Sequence, residues 1–372
     1  MSSGKTGLLK VGLNALHFTG ADELLSPLTR GVGVIFMLHR VRPGHHEGFR
    51  PNRILEVRPE FLDETIRFVV ERGFEVLSLD GVHARLSEGD FDRPFACFTF
   101  DDGYRDNREF AYPIFRRHGL PFAIYVPTDF PDGGGDLWWI KLEMVIAAIQ
   151  ALDIKMNGVW SHFETKTAAQ KDKAFDQVYW WLRGLPEAEA RGVVAELCQM
   201  HGIDASGLCR DLIMSWPELR DLASDPLVTI GAHTRRHLAL AKLTLAEASL
   251  EIEESVRRLE TELGRPVRHF SYPYGDEGSA GPREFDLARE LGLATAVTTQ
   301  KGLIHSHHTT AMTGLPRVSL NGDYQNTRYV KVMLSGAPFS FWNMAQRLPF
   351  GQIAARLTGG SRARAPAGTS SG

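Results

Sequence analysis

Apolar residues in this chain gather in short runs separated by longer amphipathic stretches. Seven runs stand out: 33–39 (GVIFMLH), 74–79, 95–100 (FACFTF), 122–126 (FAIYV), 227–233 (LVTIGAH), 269–274 (HFSYPY) and 294–298. Most are continuously apolar rather than alternating, the pattern of strands covered on both faces. Between them the spacing predicts helices. Residues 60–71 follow Pro59, a good first-turn residue, and stop at Arg72-Gly73. Residues 107–117 stop at His118-Gly119, and 283–291 at Gly292. Residues 244–263 place Leu245, Ala248, Ile252, Val256 and Leu259 near a 3.6 period and stop at Gly264-Arg265-Pro266. Repeated strand–helix alternation predicts an α/β fold with parallel strands, as a barrel or a doubly wound sheet.

Residues 132–225 break this rhythm. They open with Gly133-Gly134-Gly135, run through Leu137-Trp138-Trp139 and Tyr179-Trp180-Trp181, and read as a helical insertion without strands. Clustered aromatics there predict a small core of the insertion's own, with a sugar-stacking surface as the alternative. At the N-terminus, residues 7–18 (GLLKVGLNALHF) place Leu9, Leu13 and Leu16 on one helical face. That is the pattern of an amphipathic helix packed on the domain, or of one in peripheral contact with a membrane surface. No small-residue cleavage site follows, and no run approaches the roughly 18 apolar residues of a membrane span. The expectation is a cytoplasmic protein, with inner-membrane association as the variant. The division expected is 1–30 as an N-terminal helical extension and 31–325 as the main domain, then 326–358 as a C-terminal helical segment. Residues 359–372 (GGSRARAPAGTSSG) read as a disordered tail.

Composition narrows the function. With 372 residues the chain can bury a large core, and its length suggests two domains or one decorated barrel. Its formal net charge of −3 argues against a nucleic-acid partner. Three scattered cysteines fit neither a disulfide framework nor a Cys-based zinc site, which suggests a reducing compartment.

Three segments at strand ends carry candidate chemistry. Thr99-Phe100-Asp101-Asp102-Gly103 puts two acids after an apolar run. Adjacent strand residues face opposite ways, so the pair suits two jobs, one holding a metal and one handling a proton, unless it is only a turn. His233-Thr234-Arg235-Arg236-His237 places two imidazoles four apart, on one face if the chain turns helically there. With one carboxylate they would leave open positions on a metal. The segment is not HExxH, since Thr234 stands where Glu is needed. The loop clusters His45-His46 and His305, His307 and His308 are weaker ligand candidates. The third segment, 270–276 (FSYPYGD), is an irregular turn forced by Pro273 and Gly275.

In this order, TFDDG, GAHTxxH and FSYPYG resemble the polysaccharide deacetylase family with the NodB homology domain (carbohydrate esterase family 4). The resemblance spans residues 32–317 apart from most of the insertion. It implies a distorted (β/α)7-type barrel and a hydrolase that removes acetyl groups, chiefly N-acetyl, from a carbohydrate. It also implies a divalent metal, zinc above all. By the family pattern Asp101 is the general base, Asp102, His233 and His237 are the metal ligands, and the Tyr274 backbone is an oxyanion donor. Two departures follow. Ser271 stands where many members carry the Arg that orients the base, and Arg317 is a substitute for that charge. The family's late Leu-x-His is absent, and His39, ending the first strand, is the candidate acid. Pro273, Arg317, Trp138 and Trp139 are the candidate substrate-binding residues. A barrel glycosidase pairing Asp101 with Asp276 or Glu277, and a silent carbohydrate-binding protein, are the competing readings.

Overall fold

The computed structural model describes residues 3–44 and 48–347. Seven parallel strands close into a ring: β1 (Gly33–Leu38), β2 (Phe95–Phe100), β3 (Phe122–Val126), β4 (Val228–Ala232), β5 (His269–Ser271), β6 (Thr295–Lys301) and β7 (Leu315–Ser319). Each pairs with its neighbour in sequence, and β7 returns to β1 through Phe36↔Val318 and Met37↔Ser319. The fold is therefore the (β/α)7 barrel. It is distorted: β4 and β5 share the register pair Phe270↔Ala232, and β6 shifts register against β7 between Val297 and Lys301.

The strands read as continuously apolar because both of their faces are covered. Alternate residues such as Val34, Phe36, Phe98, Phe100, Phe122 and Ile124 join the larger core with helix residues Ile66, Phe115 and Ile252. The intervening Ile35, Cys97, Ala123, Tyr125, Val297 and Leu315 form a separate inner core. Gly231 leaves room for it, since a Cβ there would lie 2.6 Å from the Tyr125 ring. Burial pushes the Cys97 thiol up to about 12, so it stays an inert apolar filler.

Two elements differ from expectation. The run 74–79 pairs only over Glu75–Val76, onto Phe95 and Ala96. Ser78 ends it by accepting a hydrogen bond from Gly81 N and starting helix Leu79–Glu88. The seventh barrel strand is instead Leu315–Ser319, whose Pro316 and Arg317 weaken its apolar signature. The insertion also contains strands, an antiparallel hairpin of Ala151–Met156 and Val159–Glu164. Asn157 and Gly158 turn it with φ of 51° and 84°, the Asn-Gly signature of a type I′ turn. The insertion does have its own core, built on Trp138, Trp139, Leu142, Phe175, Val178 and Val194.

Helices Ser3–Thr19 and Ala21–Thr29 precede the barrel, and Thr327–Leu334 and Ala337–Arg347 follow it. His45-His46 and residues 348–372, the expected tail included, lie outside the described residues. Among the described residues no helix is long and apolar enough to cross a membrane.

Candidate active site

The C-terminal ends of the strands open into a cleft of about 730 Å3. One side is barrel rim, with His39, Asp101, Asp102, His233, His237 and Tyr274. The other is the insertion, chiefly helix Ala168–Gly184 with Phe175, Tyr179, Trp180 and Arg183.

Local backbone strain aims the rim residues. Among the described residues five non-glycines have positive φ, and four belong to the three motifs: Asp102 (75°), Thr234 (61°), His237 (59°) and Tyr274 (61°). Such residues cost of order 1–3 kcal/mol each and persist where the surroundings over-determine them. By strand alternation Asp101 points inward and Asp102 outward, and the left-handed turn at Asp102 brings its carboxylate back to the rim. The His233–His237 segment is not helical, as the spacing had suggested. It is a bend in which Thr234 Oγ1 accepts from His237 N at 2.9 Å. Glu251, buried on helix Leu245–Leu263, accepts from the backbone N–H of Arg235 and Arg236 at 3.1 and 2.9 Å. Arg191 of the insertion donates to the His237 carbonyl at 3.0 Å. Gly275 is obligatory, with φ of 57° and a would-be Cβ 2.6 Å from Thr299 N.

The result is a compact Asp-His-His cluster. Asp102 Oδ1 lies 3.5 Å from His233 Nε2 and 3.3 Å from His237 Nε2, and all three side chains are buried. Their ligand atoms fall within 4.8 Å of one another. The Nδ1 of His233 faces the Ser271 carbonyl at 2.6 Å, which assigns the proton to Nδ1 and turns the Nε2 lone pair toward Asp102. Asp102 Oδ1 is buried without a hydrogen-bond partner. Burial alone would raise the Asp102 pKa, but the two imidazoles outweigh it and hold the carboxyl far below the usual range. Burial lowers the pKa of His237 and of His39.

Asp101 has a different environment. Arg317 forms a fork on it, Nη1 to Oδ1 at 2.9 Å and Nη2 to Oδ2 at 2.7 Å. The same guanidinium donates to the Thr298 carbonyl, Thr99 Oγ1 and Ser271 Oγ, at 2.8, 3.1 and 3.0 Å. Burial would raise the Asp101 pKa, and the Arg317 charge and hydrogen bonds reverse this into a net lowering. Arg317 is 1% exposed, so it is not a substrate contact but the partner of Asp101. Ser271, at the position where an Arg was looked for, is small enough to admit Arg317 from β7.

Other expected contacts move as well. Trp138 is 2% exposed, and its Nε1 donates to the Tyr274 hydroxyl at 2.8 Å, so it braces the rim from behind. Trp139 is also buried; its Nε1 donates to the Tyr104 hydroxyl, and its ring packs 5.2 Å from His237 at the cleft floor. Pro273 is buried and shapes the turn. The exposed aromatic on the cleft is Trp180, 52% exposed, which the YWW run could have suggested. Arg183, whose guanidinium sits 3.7 Å above the Tyr274 ring, was not foreseen. The His305 and His307 rings stack, and the His307 and His308 rings are tilted with centroids 4.2 Å apart.

Residues 175–296 match the family model for polysaccharide deacetylase. The chain carries a polysaccharide deacetylase domain. The matched stretch of that deacetylase domain includes His233, His237 and Tyr274 and begins after Asp101 and Asp102. Among solved structures, the Streptococcus pyogenes deacetylase PplD, in complex with acetate, is 14% identical, with 81% of this chain and 97% of that chain covered and a TM-score of 0.53. A polysaccharide deacetylase from Bacillus cereus is 14% identical over 81% of this chain and 68% of that one, with a TM-score of 0.50. IcaB from Ammonifex degensii is 15% identical over 82% and 97%, also at 0.50. At these identities the likeness is one of fold. Among curated proteins nothing matches.

Proposed function

We propose that the deacetylase domain hydrolyses acetyl groups, chiefly N-acetyl, on a carbohydrate, with a divalent cation held by Asp102, His233 and His237. The observation that carries this is Asp102 Oδ1, a buried acceptor without a donor that faces two ring nitrogens. A buried charged oxygen left unpaired is costly, and a cation among these atoms relieves it. The donor set of two imidazoles and one carboxylate suits zinc and leaves positions open. When bound, such an ion supplies Lewis-acid polarisation of the acetyl carbonyl and a water of lowered pKa.

The remaining work belongs to the chain. Asp101 takes the proton of the attacking water, and the Arg317 fork keeps it ionised and pointed. The backbone N–H of Tyr274, in its left-handed turn, is the donor assigned to the carbonyl oxygen as charge develops there. His39, on the rim, returns a proton to the leaving nitrogen or oxygen. Trp180 offers an exposed ring to the sugar. Trp180→Ala is expected to raise KM about 2- to 10-fold with kcat unchanged, the range of one aromatic contact. Steady-state kinetics on an acetylated oligosaccharide check this.

Arg317→Met tests the positioning of Asp101. With the counter-charge gone, burial acts unopposed and raises the Asp101 pKa. The acid limb of the kcat/KM profile is expected to move to higher pH. An unmoved limb in a folded variant overturns the assignment. The function as a whole is tested by acetate release from N- and O-acetylated oligosaccharides, with metal content measured on the same sample. Release from N-acetylated substrate by the metal-loaded protein is expected. Reducing ends formed in chelator, without acetate, would instead support the glycosidase.

A further inference from the structure

The terminal helices turn apolar side chains to solvent as well as to the core. On Ser3–Thr19, Leu13 packs against the main core. The opposite face carries Leu8, Val11 and Phe18, which are 75%, 65% and 73% exposed, with Gly12 and Ala15 exposed between them. Helix Ala21–Thr29 packs beside it and adds Leu24 and Leu28, 79% and 86% exposed. Helix Ala337–Arg347 packs on Ala21–Thr29 in turn and adds Phe341 and Trp342, nearly half exposed. Single exposed apolar residues are ordinary, but a series across three neighbouring helices marks a docking surface.

Charge indicates the occupant. The terminal helices, 3–29, 327–334 and 337–347, carry Lys5, Lys10, Arg328, Lys331 and Arg347 against Asp22 and Glu23, a cationic excess in a chain of net charge −3. The nearby acids, Asp22 and Glu23, are both engaged by Lys331 at 3.7 and 2.6 Å. An apolar face on helices with a cationic excess matches a lipid surface bearing anionic headgroups. A second copy would bring the same cations against each other across a two-fold interface.

We propose that this face docks on an anionic bilayer surface, with Leu8, Phe18, Leu24 and Leu28 entering the headgroup–acyl boundary. The inference does not depend on the proposed chemistry.

The test is co-sedimentation of the full chain with vesicles of phosphatidylcholine, with and without phosphatidylglycerol. Binding to the anionic vesicles is expected, weakening with salt. The variant Leu8→Glu, Phe18→Glu, Leu24→Glu and Leu28→Glu should lose more than about tenfold in vesicle affinity, with its melting temperature retained. Independently, brominated lipid should quench fluorescence of the unaltered chain, and Trp342→Phe should reduce that quenching. Equal sedimentation with and without anionic vesicles overturns the proposal. So does a concentration-dependent dimer that the four-residue variant abolishes, which would assign the face to self-association.

Discussion

Asp101→Asn is expected to lower kcat/KM for acetate release by about 10²- to 10⁴-fold, the usual contribution of a general base. An amide keeps the shape and one acceptor of the carboxylate but cannot take a proton from water. Stability should change as well. Arg317 is fully buried and Asp101 is the carboxylate it grips, so the variant leaves a guanidinium without its counter-charge. Breaking a buried pair this way costs about 3–5 kcal/mol. The effect has a pH signature. The folded pKa of Asp101 is lowered, so its contribution is present above the unfolded value of about 3.9 and is lost as pH falls through the folded one. The gap in melting temperature between parent and variant should be full near neutrality and narrow below about pH 4. Thermal melts across pH, run beside acetate assays, check both parts. Normal acetate release from a folded variant would remove Asp101 from the mechanism.

Asp102→Asn is expected to abolish the response to metal. At a free zinc concentration of 100 times Kd the parent should gain about 2.7 kcal/mol of stability, and the variant should gain almost none. Metal affinity should fall by more than about 100-fold, beyond what an outer-shell partner contributes. Acetate release should fall with it. Chelation of the parent should give the same loss, reversed by zinc. Melting curves with and without zinc, and metal analysis after dialysis, provide the check. A variant that retains the zinc-induced shift would move the cation elsewhere.

Much of this was legible in the sequence because barrel strands are apolar on both faces and the motif residues sit at their ends. Six of the seven barrel strands showed as apolar runs. The seventh, 315–319, was not among the seven runs because Pro316 and Arg317 interrupt its apolar pattern, although the resemblance did point to Arg317 as the charge for the base. Its partner, Asp101, is 216 residues away, so that pairing came from the resemblance and from no local pattern. The hairpin in the insertion escaped for another reason: only Leu152 and Ile154 of its first strand are buried, and the second strand is largely exposed. Its Asn157-Gly158 turn was the available signal. The tryptophans were legible as a core but not by individual role. Burial depends on which side of helix Trp138–Ala148 meets the barrel, and sequence spacing does not fix that. The convergence of His233 and His237 followed from left-handed backbone, not from helical periodicity.

The union of Asp101 with Arg317 joins the second strand of the ring to the last. In time as well as in space, it is the final piece of the site to arrive. A chain emerging from the ribosome makes both aspartates and both histidines long before it makes β7. Until β7 closes against β1, the inner acid lacks the Arg317 charge and hydrogen bonds that lower its pKa. Catalytic competence therefore reports completion of the whole ring, and a chain cut between His237 and Arg317 would keep its three candidate metal ligands while lacking the partner that holds its base.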